Sequence, residues 1–278
     1  MTNRTNAHQS VGSRLQQAVI IVGALVVVLP FVWMVGISFS SSGEVLNRFL
    51  YVLPTSFSLE GYHEVFDLTP YARWFRNSVV VTTLLTTGQL VTGVLAAYAF
   101  ARWRFPGREV LFFLVLCTMM IPPQAVMLPL FMVINRFEWI NTYRGLIIPH
   151  LAHGYVIFMM RQFFLQVPRE LDEASQIDGC SGVATLWHVY LSAARPALIS
   201  VGLIQLVRNW NEYYWTLVVI TEQIRLTLPV AIVSFRDETM VRWVPTMSSA
   251  AMSVLPIIVL YLVAQRFFHD SNLASGTK

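Results

Sequence analysis

The stretch VPRELDEASQIDGCSGVATLWHVYLSAARP, from Val167 to Pro196, lies between long apolar segments and is itself polar. Its four acids are Glu170, Asp172, Glu173 and Asp178, and they fall within nine residues. Charged groups at this density are not tolerated in the hydrocarbon core of a bilayer. The stretch therefore marks a loop in water between segments that lie in a membrane.

The local chemistry of this loop predicts two short helices joined by a turn. Pro168 suits the first turn of a helix, and the acids that follow it complement the positive end of the helix dipole. Asp178-Gly179 is a stop signal, because glycine readily adopts the left-handed conformation that closes a helix. Ser181 is a suitable cap for a second helix from Gly182 to about Tyr190, and Pro196 opens the next apolar run.

Composition indicates an all-α, polytopic membrane protein. The chain has 278 residues, of which 55% are hydrophobic and 12% charged, and its mean hydropathy is +0.58. Soluble domains carry about 25% charged residues. Several apolar runs are about 20 residues long, which is enough to span a bilayer. The net charge of +4 comes without a basic cluster interleaved with aromatics, so nucleic acid is not an expected partner.

Hydropathy predicts six transmembrane helices in a single transmembrane domain over residues 17–268. A flexible cytoplasmic N-terminus (1–16) precedes this domain, a cytoplasmic tail (269–278) follows it, and the polar loop is 167–196. The predicted helices 1 to 6 are Gln17–Phe39, Asn77–Ala101, Val110–Ile134, Thr142–Phe164, Ala197–Ile220 and Met247–Phe268. Segments Ser40–Arg76 and Thr221–Thr246 are then external.

The distribution of charge supports this orientation, with both ends inside. The predicted inside segments hold ten basic residues, Lys278 among them, and six acids, whereas the outside segments hold eight of each. The whole formal charge therefore lies on the proposed cytoplasmic side, as the positive-inside rule expects. The short loop Arg102–Arg108 is the strongest part of this bias.

Polar and small residues inside the predicted helices allow several interpretations. Predicted helix 2 is rich in Thr, Gly and Ala, which favours close helix packing. Predicted helix 3 is interrupted at Ile121-Pro122-Pro123 and at Pro129, as in a kinked packing helix or beside a water-filled path. His150 and His153 have no acid or cysteine nearby in the sequence, so a metal site is not expected there. Cys117 and Cys180 lack metal-type spacing, and a disulfide between them is not expected either.

Predicted helix 5 holds the most polar cluster of the apolar segments. On a helical wheel Arg208, Asn211, Glu212 and Trp215 share one face. One interpretation is structural, with Arg208 and Glu212 pairing at i, i+4. The other is a translocation path in which Asn211 and Glu212 bond solute hydroxyls and Tyr213 or Trp215 packs on a sugar ring.

Motif searches leave two function classes. The sequence has no Gly-x-Ser-x-Gly, no His-Glu-x-x-His and no paired intramembrane Asp, so an intramembrane enzyme is disfavoured. It also lacks a nucleotide-binding Gly-x-x-x-x-Gly-Lys-Ser/Thr, so it cannot hydrolyse ATP by itself. The candidates are a transport subunit that needs a partner motor and a self-sufficient secondary transporter of a polar solute.

The polar loop resembles the EAA loop of ABC importer permeases, which favours the first class. Five residues match the family pattern in identity and spacing: Glu173, Ala174, Asp178, Gly179 and Pro196. Ser175 stands for the second Ala of Glu-Ala-Ala, Cys180 for the Ala after Gly, and Ser192 for the first Pro. The resemblance implies a type I importer fold in which Glu173, Ala174, Ser175, Asp178, Gly179 and Pro196 couple the permease to an ATPase.

The full chain resembles the smaller permease of carbohydrate importers, the group of the maltose and sn-glycerol-3-phosphate systems. The most specific strings are Met160–Leu171 and Trp-Asn-Glu-Tyr-Tyr-Trp, Trp210–Trp215. The resemblance implies uptake of a sugar, amino sugar or glycerophospho-compound across a prokaryotic inner membrane. It implies as partners a homologous second permease, two ATPase subunits that bind ATP and Mg, and an extracytoplasmic solute-binding protein. No cofactor is expected in this chain.

Overall fold

The computed structural model describes residues 4–47, 54–235 and 241–275, and Lys278 therefore lies outside the described residues. In these ranges the chain consists of helices and their connections, with no β-strand. The α-helices are α1 (Arg4–Ser38), α2 (Ser42–Asn47), α3 (Glu60–Leu68), α4 (Tyr71–Arg102), α5 (Arg108–Met120), α6 (Pro123–Arg136), α7 (Tyr143–Ile147), α8 (Gly154–Gln166), α9 (Glu170–Ile177), α10 (Gly182–Thr185), α11 (Leu191–Ala193), α12 (Arg195–Trp210), α13 (Tyr214–Val219), α14 (Leu228–Ala231) and α15 (Trp243–Ser275). Single helical turns of 3₁₀ type are Ile148–His150, Gln223–Arg225 and Ile232–Phe235, and a π-helical turn is Leu186–Tyr190.

Three described helices are long and apolar enough to cross a membrane, namely Gln16–Ser38 within α1, all of α4, and Trp243–Gln265 within α15. Two helix pairs also qualify if each bent pair counts as one span. These are α5 with α6, bent by 104°, and Gly182–Ala193 with α12, bent by 81°. The described chain thus offers three to five candidate spans by length and composition.

Several helices are longer than the apolar runs of sequence from which they were predicted. α1 begins at Arg4 rather than Gln17, α4 at Tyr71 rather than Asn77, and α15 covers Trp243–Ser275 rather than Met247–Phe268. Hydropathy detects only the part of a helix that suits hydrocarbon. Polar residues continue the same backbone hydrogen bonding into water, so the helical segment extends beyond the apolar run.

Predicted helices 3, 4 and 5 are each divided. Helix 3 breaks between Met120 and Pro123, where Ile121 is extended, because the residue before a proline avoids the helical region. Helix 4 breaks at Leu151–His153, after a 3₁₀ turn that contains Pro149. Helix 5 ends at Trp210, and α13 starts at Tyr214. The prediction of a continuous helix from Ala197 to Ile220 is therefore wrong.

The described residues up to Thr69, together with the described part of Ile232–Val254, form one compact unit. In it the Ser38 hydroxyl lies 2.9 Å from the Tyr62 hydroxyl, and Ser248 Oγ donates to the Ser38 carbonyl at 3.1 Å. An ion pair joins Glu64 of α3 to Arg242. The segment after α1 that was predicted to be external contains the two short helices α2 and α3.

The second unit contains Pro70–Ala231 and the chain from Leu255 onward. Its main core joins α4, α8 and α12, with Ala97, Met160 and Val201 almost wholly buried. A Cβ on Gly93 would lie 2.4 Å from Val156 Cγ1, so only glycine allows α4 and α8 to approach this closely. Thr82 and Thr86 are buried in the same helix, which confirms the packing prediction at these two positions, whereas Thr83 and Thr87 are exposed.

Candidate coupling loop and polar path

The first helix of the polar loop is α9, as the sequence predicted. The turn begins at Pro168, whose carbonyl accepts from Leu171 N–H at 3.4 Å, and the helix proper starts at Glu170. The three acids of its first turn lie at the positive end of the helix dipole. Glu173 and Ala174 are exposed, and both are therefore available to a partner.

The turn after α9 is a Schellman motif. Gly179 has a φ of +78°, in the left-handed region where a Cβ is disfavoured. Cys180 N–H donates to the Ser175 carbonyl and Gly179 N–H to the Gln176 carbonyl, at 2.9 and 3.0 Å. The predicted stop at Asp178-Gly179 is confirmed. Among the described residues the exposed Asp178 carboxylate makes no hydrogen bond to the turn, so the turn is closed by backbone hydrogen bonds.

The second helix of the loop is capped as predicted, since Ser181 Oγ accepts from Ala184 N–H at 3.4 Å. It runs through α10, the π-helical turn and α11 to Ala193, beyond the predicted end at Tyr190. Ser192 lies inside this last segment, and Pro196 occupies the first turn of α12. Pro196 is tolerated there because its missing N–H would have no partner in the helix.

Ser175, which replaces an alanine of the EAA pattern, joins the two helices of the loop. Its side chain is buried, and its Oγ lies 3.0 Å from Thr185 Oγ1. Ser175 Oγ also donates to the Asp172 carbonyl at 2.8 Å. An alanine would leave Thr185 without this contact, so the departure from the family pattern adds a connection between α9 and α10.

An ionic cluster fixes the loop to the ends of α4 and α8. Arg102 Nη1 lies 3.4 Å from Asp172 Oδ2, and Arg102 Nη2 donates to the carbonyls of Phe164, at 2.6 Å, and Val167. The guanidinium also stacks over the Tyr190 ring, 4.8 Å from its centroid. One arginine therefore binds α8 and both helices of the polar loop.

Tyr190 closes this cluster by donating its hydroxyl to Asp172 Oδ1. Burial, and after it the hydrogen bond to Asp172, raise the pKa of the Tyr190 phenol above its usual value. The phenol therefore keeps its proton at neutral pH and remains a donor. The sequence suggested only a dipole role for Asp172 and did not associate it with Arg102 or Tyr190.

The loop exposes large apolar side chains. Ile177, at the end of α9, is 86% exposed, and Val183 and Trp187 on the second helix are 70% and 69% exposed. Val183 and Trp187 are four residues apart and so lie on one side of their helix. Exposed apolar groups on a polar loop are typical of protein–protein contact sites. We call these three residues the apolar docking residues.

The polar cluster predicted on one face of helix 5 is divided by the break after Trp210. Asn211 ends α12, and its Nδ2 donates to the Val207 carbonyl at 2.8 Å. Glu212 Oε1 accepts from Trp215 N–H at 3.0 Å and so caps the start of α13. The shared face with Trp215 does not exist, because the 100° spacing applies only within a continuous helix.

The side chains of this cluster have different surroundings. Arg208 and Asn211 are exposed and Glu212 and Tyr213 are half-buried, and the described chain shows no ion pair between Arg208 and Glu212. Trp215 is only 4% exposed, and its Nε1 donates to the Gly145 carbonyl at 3.0 Å. Trp215 is thus a packing residue in this conformation, and the predicted Arg208–Glu212 pair is not formed.

A buried amide cluster, overlooked in the sequence, supports the break in predicted helix 4. Gln89 Nε2 donates to the His150 carbonyl at 2.9 Å, and Thr92 Oγ1 donates to the Leu151 carbonyl at 2.6 Å. Gln89 Oε1 accepts from Gln205 and from Asn209, each at 2.9 Å. These side chains satisfy carbonyls that the interrupted helix leaves unpaired. In the sequence, single glutamines within apolar runs could have indicated this buried cluster.

His150 and His153 flank the same break. His150 lies edge-on to Trp215, with ring centroids 5.2 Å apart. In the part of the chain that the structure describes, no three His, Cys, Asp or Glu side chains are grouped to hold a metal ion.

Comparison with known proteins agrees with this architecture. The family model for the binding-protein-dependent transport system inner membrane component matches residues 89–271. A probable ABC transporter permease, YurM of Bacillus subtilis, is 30% identical over 257 residues, covering 91% of this chain and 84% of that protein. The trehalose/maltose transport system permease MalG of Thermococcus litoralis is 29% identical over 273 residues, covering 95% of this chain and 98% of that protein.

Among solved structures, a chain of a bacterial ABC transporter that imports the acidic polysaccharide alginate has the same fold. Its TM-score is 0.84 at 23% identity, covering 96% of this chain and 99% of that chain. The chain belongs to the family of inner membrane components of binding-protein-dependent transport systems. It is a permease of an ABC importer, which rules out the alternative of a self-sufficient secondary transporter.

Proposed function

We propose that this permease takes up a carbohydrate or related polar solute and couples to a separate ATPase through residues 167–196. The observation that carries the proposal is the construction of this loop. It is tied to α4 and α8 by Arg102, closed at Gly179 and capped at Ser181, and it presents the apolar docking residues to solvent. A loop that passes movement from one subunit to another must be held firmly in its own subunit. It must also present a surface that binds the partner.

In this proposal the ATPase covers the exposed end of α9 and the second loop helix. Glu173, Ala174, Asp178 and the apolar docking residues would contact it. Ser175 and Gly179 act within the loop, by holding the helices together and forming the turn. ATP and Mg would be bound by two ATPase subunits. A second, homologous permease and an extracytoplasmic solute-binding protein would complete the transporter.

The solute class rests on the relatives. One is named for trehalose and maltose and another for sn-glycerol-3-phosphate, and the similar structure imports alginate. The deciding experiment is a ligand screen of the cognate solute-binding protein, followed by ATP-dependent uptake of the best ligand in vesicles that hold the complete transporter. Uptake of a sugar or glycerophospho-compound supports the proposal, and uptake of an unrelated solute such as an amino acid would refute it.

The proposed topology has six crossings with both termini in the cytoplasm. The spans would be α1, α4, α5 with α6, α7 with α8, α12 with α13, and α15. We expect a single cysteine at Arg104 or Arg169 to react only from the cytoplasmic side, and one at Phe57 only from outside, in a chain whose Cys117 and Cys180 are replaced. Labelling of Phe57 and Arg104 from the same side would contradict this orientation.

We further propose that the break after Trp210 lines the solute passage. Asn211→Ala should lower uptake several-fold while assembly and basal ATP hydrolysis stay unchanged, because a lost hydrogen bond to a solute hydroxyl costs about 1 kcal/mol. Glu212 needs a paired test, since it also caps α13. Glu212→Gln removes the charge but keeps an acceptor for Trp215 N–H, whereas Glu212→Ala removes both.

The comparison of the two Glu212 variants separates solute contact from capping. Loss of uptake in Glu212→Gln, with normal protein level, supports a role in the passage. Normal uptake in Asn211→Ala and Glu212→Gln, with loss only in Glu212→Ala, would limit this segment to a structural role.

A further inference from the structure

An open cavity of about 490 Å³ lies where the chain passes from α4 to α5. Arg104, Arg108 and Glu109 line it, and so does Arg169, which precedes α9. The cavity therefore joins the short basic loop after α4 to the start of the coupling loop. It shares none of the residues assigned above to ATPase contact or to the solute passage.

The cavity carries uncompensated positive charge. Its single acid, Glu109, is already engaged by Arg108 at 2.6 Å and lies 3.9 Å from Arg161. In the described chain neither Arg104 nor Arg169 forms an ion pair with an acid, and both are exposed. Two guanidinium groups are thus available to an anion. Guanidinium groups bind phosphate through paired N–H donors.

An apolar surface starts at the same place. Val110, Phe113 and Leu114 follow the cavity on α5, and each is more than half exposed. Their spacing of three and four residues places them on one side of the helix. A ligand seated among the arginines would therefore have an apolar helix face beside it, which matches the two parts of a phospholipid.

We propose that this cavity binds the phosphate headgroup of an anionic glycerophospholipid, with an acyl chain along the Val110–Leu114 face of α5. Basic pockets between membrane helices near the bilayer surface commonly bind such headgroups. A soluble phosphate would use the arginines but not the apolar face. This proposal goes beyond the transport function, because it assigns a structural lipid to the permease and does not depend on the solute or on ATP.

Lipid retention in the purified transporter tests this proposal. The complete complex is placed in nanodiscs of phosphatidylcholine with added phosphatidylglycerol and then released into mild detergent. Retained phosphatidylglycerol is counted by native mass spectrometry. Each arginine should contribute about a fivefold factor to affinity, so Arg104→Gln with Arg169→Gln should lower retention by about 25-fold.

Two controls make the result decisive. Arg136→Gln, at an exposed arginine that ends α6, should leave retention unchanged, and inorganic phosphate at a concentration similar to that of the lipid should not displace it. Equal loss in Arg136→Gln would overturn the proposal, as would full retention when both Arg104→Gln and Arg169→Gln are present. Displacement of the lipid by inorganic phosphate at a concentration similar to that of the lipid would also overturn it, since the site would then not need the acyl chain.

Discussion

Replacing Trp187 by alanine is expected to weaken binding of the ATPase partner by about 30- to 150-fold. Exposed tryptophans that become buried in an interface typically contribute about 2–3 kcal/mol to binding. Trp187 is 69% exposed in the isolated chain, so its loss should leave the fold of the permease intact. The measurement is titration of the ATPase onto the membrane-embedded permease pair, with uptake as a second readout.

A matched control for Trp187 is Phe137→Ala. Phe137 is also a largely exposed aromatic residue, but it follows α6, in a connection that the proposed topology places outside the cell. It should have no effect on ATPase binding. If Trp187→Ala bound the ATPase with unchanged affinity, the apolar docking residues would have to be assigned to another partner.

Replacing Gly179 by alanine is expected to uncouple solute from ATP hydrolysis. The residue has a φ of +78°, where a side chain costs about 1–2 kcal/mol, and a Cβ there meets no neighbouring atom within 4 Å. The cost is therefore one of backbone strain in the Schellman turn and not of a steric clash. Stimulation of ATP hydrolysis by the loaded binding protein should fall about fivefold or more, while solute binding to that protein is unaffected.

Gly182→Ala is the matched control for this change. Gly182 lies in the same loop at the start of α10, and an added Cβ would meet only Trp103 atoms at 3.9 Å, an ordinary contact. Normal stimulation is expected there. Equal effects of the two substitutions, or normal coupling in Gly179→Ala, would contradict a special role for the left-handed turn.

The network around Arg102 joins the polar loop to the end of α8. Its guanidinium bonds backbone carbonyls at the end of α8 and an acid of α9, and it stacks on an aromatic ring of the second helix. Because hydrogen bonds to charged groups contribute about 1.5–3 kcal/mol, this arginine stabilises the loop more than any neutral contact in it. Movement of the docked helices would therefore be passed to α4 and α8.

Sequence reasoning was sufficient to predict the membrane class, the two helices of the polar loop, the stop at Gly179 and the cap at Ser181. Each of these depends on residues within a few positions of one another, so local backbone chemistry decides them. The resemblance of the same loop to the EAA pattern also led to the correct family. Local chemistry likewise anticipated the interruption at Pro122 and Pro123, although not the 104° bend that follows from it.

The breaks in predicted helices 4 and 5, and the contacts between distant polar side chains, depend on the folded chain and could not be predicted. Gln89 reaches the His150 carbonyl and Asn209 across long stretches of sequence, and Arg102 meets Asp172 in the same way. The helical wheel placed Arg208 and Trp215 on one face, and this prediction was wrong because it assumed a helix without the break after Trp210. A helix in an apolar segment can stop wherever distant side chains satisfy its freed carbonyls, and hydropathy contains no information about those partners.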